Sequence, residues 1–159
     1  MAVTAHVFPT LSLNALKHTL TANTDALSVL LINTGTYTWG AGTSETQTHV
    51  SEFLAGDGVN GALVEVLTTG GTNYTRQPLA GVSLTNSGLV TTLTCSPSPT
   101  WPTASFAAKY ALFYDNTVGG TDSTNQILGY WDFGASLGVS ATSYTLTISG
   151  SGLLTWTHS

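Results

Sequence analysis

ASFAAKYALFYDNTVGGTDSTNQILGYWDFG, residues 104–134, is the stretch whose reading decides the fold. Two apolar runs rich in aromatic residues flank NTVGGTDSTN (116–125), which is too polar and too glycine-rich to lie in a core. The pattern predicts strands at 105–115 and 126–133 joined by a loop. In the first strand, Phe106, Ala108, Tyr110, Leu112 and Tyr114 fall on one parity, and Ala107, Lys109, Ala111, Phe113 and Asp115 on the other. Both faces are largely apolar, so the strand is expected to be central and covered on both sides. Lys109 is one of only three cationic side chains, with Lys17 and Arg76. An unpaired buried ammonium costs several kcal/mol, so Lys109 needs a partner. Asp132 in the adjoining strand is the nearest candidate, and Lys109 and Asp132 are expected to form a structural ion pair. The alternatives are an ammonium that snorkels to the sheet edge and one satisfied across a subunit interface. None of these makes Lys109 catalytic.

Outward from this stretch the chain reads as β almost throughout. ALSVLLINT (26–34) is the expected first core strand, ALVEVLTT (62–69) another, and GVSLT with GLVTTLTCS (88–96) a hairpin turning at Asn86-Ser-Gly. Pro97, Pro99 and Pro102 are expected to hold an extended connection around Trp101 outside any ladder. SYTLTIS and GLLTWTH flank Gly-Ser-Gly as a C-terminal hairpin. Helix is scarce. LSLNALKHTL (11–20) fits one short N-terminal helix, and THVSEFLAGDGVNG (48–61) one helical turn ended by Gly56 and Gly58. About seven or eight short strands in one domain spanning 1–159 predict an all-β fold, either a β-sandwich or a partly closed barrel.

Composition narrows the functional class. Charged residues make up 7% of the chain, against about 25% in an average soluble domain. Polarity comes instead from 45 hydroxyl residues, 29 of them Thr. The formal net charge is −5 with no basic block, so neither nucleic acid nor an anionic membrane is an expected partner. Residues 1–16 lack a charged n-region and a long apolar run, and no signal peptide is expected. The single Cys95 reads as a small apolar group at a strand end.

A search for chemistry finds little. His6, His18, His49 and His158 show no spacing that would bring two imidazoles to one metal, and there is no nucleophile elbow, Cys–His signature or phosphate loop. Glu45, Glu52, Asp57 and Glu65 offer no favoured pair of carboxylates for glycoside chemistry. DNTVGGTD and GDGVNG resemble oxygen-rich loops but have too few carboxylates for a calcium site of EF type. The expectation is a protein with no enzymatic activity, no cofactor and no metal. Of the four tryptophans, Trp131 and Trp156 fall within strands and read as core, whereas Trp39 and Trp101 fall in loops beside Gly or Pro. Trp39 and Trp101 are therefore the candidate partner contacts, as hot-spot anchors or as stacking surfaces for a glycan.

One resemblance gathers these features. AKYALFYDN (108–116), then ILGYWDFG (127–134), YTLTI (144–148) and GLLTWT (152–157), preceded by LNALKHTLTANTDALSVLLINTGTYTW (13–39), resembles a family of small tailed-bacteriophage virion proteins. Ser28 stands where the family's first strand usually has a basic residue, and Trp131 where it has an aliphatic one. The resemblance covers most of the chain in order and implies a virion structural protein, most simply a decoration protein cementing the outside of the head. Its partner would be the phage major capsid protein, its localisation the virion surface, and its state a homo-oligomer. The alternative is a tail-associated structural module or one that binds host-surface glycans.

Overall fold

A computed structural model describes residues 3–9, 24–40, 46–57, 59–66, 71–117, 120–148 and 151–157. The helix expected at 11–20 lies outside them, as do Lys17, His18, Glu45 and His158. The described residues form an all-β sandwich of two antiparallel sheets. The strands are β1 (Thr4–Val7), β2 (Leu27–Thr34), β3 (Val64–Glu65), β4 (Gln77–Pro78), β5 (Ser83–Ser87), β6 (Val90–Thr94), β7 (Thr100–Asp115), β8 (Gln126–Thr145) and β9 (Leu154–Thr157). One sheet runs β1-β8-β7-β2-β3, with β4 also paired to β2, and the other runs β5-β6-β9.

β7, the strand expected to be central and covered on both sides, lies between β8 and β2 with Ala111 and Phe113 in one core and Leu112 and Tyr114 in the other, and β2 is buried on both faces as well. Leu27, Val29 and Leu31 of β2 face the core beneath the three-stranded sheet, while Leu30 and Ile32 face a second core. That second core is closed by α1 (Val50–Ala55), through Val50 and Phe53, together with Phe8, Tyr37 and Leu63. Full burial of Phe53 contributes about 2–3 kcal/mol. Glu52 anchors the start of α1: its carboxylate accepts the Thr48 backbone N–H at 2.7 Å and that of His49 at 3.2 Å. These bonds, that from Thr48 first, lower the Glu52 pKa. At the other end, Gly56 takes φ +79°, where a side chain would also run into the Asn60 carbonyl.

The simple parity read from 105–115 does not hold through the strand. Ala108 pairs with Leu137 but Tyr110 pairs with Asp132, so two steps on β7 span five on β8. At this bulge the facing pattern changes phase. Phe106 and Ala108 share a core with Ala111 and Phe113, whereas Tyr110, Leu112 and Tyr114 enter the other. β7 also begins earlier than the prolines suggest. Thr100 and Trp101 already pair with Thr145 and Tyr144, and the ladder is first interrupted around Pro102. Pro102 is exposed there and has no N–H to leave unpaired.

The β5–β6 hairpin forms as expected, with Ser83 opposite Thr94 and Ser87 opposite Val90. The C-terminal hairpin does not. Residues 143–145 are the end of β8 and stay on β7, while β9 pairs with β6, Leu154 opposite Leu93 and Trp156 opposite Thr91. That pairing buries Leu154 and Trp156 in the intersheet core, which a free-standing hairpin would leave half solvated. The run expected as a strand at 62–69 contributes only β3 among the described residues.

Candidate contact surface

Trp39 follows β2 and packs beside β1 on the helix-covered side. It stacks on the His6 ring at 4.9 Å and meets Phe8 edge-on at 5.3 Å. His6 stacks in turn on Tyr130 at 4.8 Å, so imidazole, indole and phenol form one continuous aromatic ridge. β1 holds His6 there through its register with β8, His6 opposite Tyr130. Trp39 keeps part of its surface in solvent, and it remains the accessible one of the two tryptophans singled out from the sequence.

Burial between these rings lowers the His6 pKa, against a smaller upward pull from Asp132. The folded chain therefore prefers neutral imidazole, and the unfolded chain binds the proton first. The stabilisation is complete above the unfolded value of about 6.5 and is lost as pH falls through it toward the folded value. Thermal melts taken from about pH 7.5 to about pH 5.5 should show a falling midpoint, and His6→Phe should flatten that dependence. An identical fall in wild type and variant would show that His6 is not its source.

Trp101 is a correction. It is fully buried, stacks on Tyr74 at 6.3 Å, meets Phe106 edge-on at 6.2 Å, and donates its indole N–H to the Thr75 carbonyl at 2.7 Å. It belongs to the intersheet core because β7 begins before the last of the prolines, which points the indole inward. It offers no face to a partner.

The Lys109–Asp132 pair is a second correction. Among the described residues, ion pairs join His49 to Glu52 and Arg76 to both Glu65 and Asp122. Lys109 instead reaches the Gly35 carbonyl at 3.4 Å and lies over the Tyr110 ring at 5.2 Å. The bulge is the physical reason. It sets Asp132 opposite Tyr110 rather than Lys109, and the Asp132 carboxylate accepts the Gly134 backbone N–H at 2.7 Å. Only half-buried, Lys109 keeps access to water, so a carbonyl and a ring face suffice.

The buried charge centre lies elsewhere, at Arg76. Its guanidinium donates to Glu65 through Nε at 2.9 Å and Nη2 at 2.7 Å, and to Asp122 through Nη1 and, at 2.9 Å, Nη2. Tyr74 donates its hydroxyl to Glu65 at 3.1 Å and accepts the Leu31 backbone N–H at 2.7 Å. Hydrogen bonding to Asp122, then to Glu65, raises the Arg76 pKa still further, so its charge is permanent. This network ties the 71–78 segment to β3, to β2 and to the β7–β8 loop. Sequence reading passed over it because the partners lie 11 and 46 residues away. The available signal was the scarcity of cations, which makes each one conspicuous.

Asp57 and Asp122 of the two oxygen-rich loops are already engaged in hydrogen bonds. Asp57 accepts from the Val59 and Asn60 backbones and the Asn60 amide, and Asp122 is held by Arg76. Among the described residues no three His, Cys, Asp or Glu side chains gather at a potential metal position. Glu65, one of the carboxylates considered for glycoside chemistry, is locked in the Arg76 network. Cys95 lies where expected, buried just past β6, and burial raises its pKa. No described helix is long and apolar enough to cross a membrane. Comparison with protein-family models, curated proteins and solved structures finds no match to this chain.

Proposed function

We propose that this chain is a non-enzymatic virion protein that decorates the outside of an assembled tailed-phage head. The observation that carries this reading is the outer half of β8. Residues 134–145 (GASLGVSATSYT) are largely exposed and contain no Asp, Glu, Lys, Arg or His. A strand dressed with hydroxyls and small side chains can be laid against a shell without stripping water from charges, the costliest step in burying a polar surface. Pairing with β7 on one side keeps it rigid, so little entropy is lost on contact. Cementing then needs only mass action, since a protein that binds the assembled shell but not its dissociated subunits stabilises the shell. Trp39, the accessible tryptophan of the aromatic ridge, is the anchor in this reading.

Co-sedimentation of the purified chain with empty, expanded heads tests this. The expected result is saturable binding at a fixed copy number per capsid subunit, weakened at least tenfold by Trp39→Ala. Absence of binding to heads would overturn the decoration role and direct attention to the tail.

A further inference from the structure

We propose that the ridge of Trp39 and His6, with the Asp132 carboxylate beside it, is a binding site for a guanidinium group, and that the shell subunit docked there presents an arginine side chain. β1 and β8 bring the parts together. Thr4 lies opposite Asp132 and His6 opposite Tyr130, so His6 and Asp132 are diagonal cross-strand neighbours on one face of the sheet. Tyr130, and Tyr110 opposite Asp132, belong to the core that this face covers. Trp39 joins from the segment after β2, with its ring 4.9 Å from that of His6 and 5.8 Å from that of Tyr130. Trp39, His6 and Asp132 are each only partly buried, so two ring systems and a carboxylate reach one patch of surface.

The chemistry of the patch selects the ligand. Asp132 uses one oxygen to accept the Gly134 backbone N–H at 2.7 Å, and its other oxygen accepts no hydrogen bond among the described residues. Lys109, beside Tyr110 in β7, is directed to the Gly35 carbonyl instead. His6 brings a ring face and no competing charge near neutral pH, because burial holds its pKa below the ordinary 6.5. A carboxylate next to aromatic faces attracts a cation through both the charge and the ring quadrupoles. A guanidinium suits it better than an ammonium: it is planar, so it can lie on a ring while its edge donates to the carboxylate, and it is more weakly hydrated. The net charge of −5 also favours the approach of a cationic surface. This inference rests on Trp39 as the shell anchor and names what the shell places against it.

The experiment is an NMR titration of the ¹⁵N-labelled protein with N-acetyl-arginine amide, N-acetyl-lysine amide and N-acetyl-citrulline amide, the last keeping the planar shape of arginine without its charge. Concentrations run to tens of millimolar, where weak small-molecule sites saturate. The expected result is saturable shifts of the Trp39 indole N–H and of the His6, Asp132 and Gly134 amides with the arginine probe, weaker binding of the lysine probe, and no saturable shifts with citrulline. Asp132→Asn keeps an oxygen for the Gly134 N–H, so the melting temperature should hold while arginine binding weakens about threefold or more, as for loss of a partly exposed ion pair. The same variant should bind empty heads less tightly than wild type in co-sedimentation. The proposal is overturned if the arginine probe gives no saturable shifts, if citrulline binds equally, or if Asp132→Asn leaves arginine binding unchanged. Arginine binding without any binding to heads would sustain the guanidinium site and overturn the decoration role. Head binding unaffected by Asp132→Asn would sustain decoration and overturn the arginine contact.

Discussion

Replacing Arg76 by alanine is expected to destabilise the fold by about 3 kcal/mol, because Glu65 would be left with its charge buried and uncompensated. Glu65 has a side chain only 6% exposed, whereas that of Asp122 is 32% exposed and can recover water. The loss therefore comes mainly from Glu65. For a domain of this size the midpoint of thermal unfolding should fall by about 6–12 °C. Arg76→Lys should recover part of the loss, since it restores the charge but cannot donate two hydrogen bonds to each carboxylate. Asp122→Asn should cost about 1 kcal/mol, as one hydrogen bond to a neutral amide replaces two to a carboxylate at the more exposed site. Equal melting of Arg76→Ala and wild type would show that the network contributes nothing to stability.

Trp101→Ala is expected to cost about 4 kcal/mol, the range for removing a buried large aromatic side chain, and to lower the midpoint by about 8–16 °C. It also leaves the Thr75 carbonyl without the indole donor and removes the ring on which Tyr74, Phe106 and Tyr144 converge. Trp39→Ala should cost much less, because Trp39 covers the rim of the second core rather than filling its centre. The two variants are thus expected to separate stability from contact: Trp101→Ala should melt early, whereas Trp39→Ala should keep the fold and, in the proposed decoration role, lose shell binding. Chemical denaturation of both, with midpoint and slope compared, checks the order. A Trp101→Ala protein as stable as wild type would contradict the core placement.

Much of the architecture was legible in particular residues. ALSVLLINT has apolar side chains on both parities, and β2 buries both faces. GVSLT and GLVTTLTCS carry the alternation and turn residues of a hairpin, and they form one. The errors cluster where two distant segments must agree on register. Asp132 is the nearest candidate carboxylate for Lys109 in the adjoining strand, but nearness along the chain does not set register, and the bulge at residues 133–136 places Asp132 opposite Tyr110. Trp101 read as a loop residue because three prolines surround it, although a strand can begin among prolines whose missing N–H falls at an irregular or exposed position. The aromatic ridge joins His6, Trp39 and Tyr130 from three separate parts of the chain, and no local pattern connects them.

By itself, then, the sequence determined the all-β class, the doubly covered central strand, the local hairpin and a surface nearly free of charge. Each follows from composition or from the two-residue alternation of a strand, which short-range sterics impose. The tertiary structure alone decided which carboxylates meet Arg76, where the Lys109 ammonium goes, why Trp101 is core, and that β9 joins β6. These depend on how strands far apart in the chain slide and bulge against one another. That choice is made by the fit of two cores at once, and it leaves no mark on any short stretch of residues.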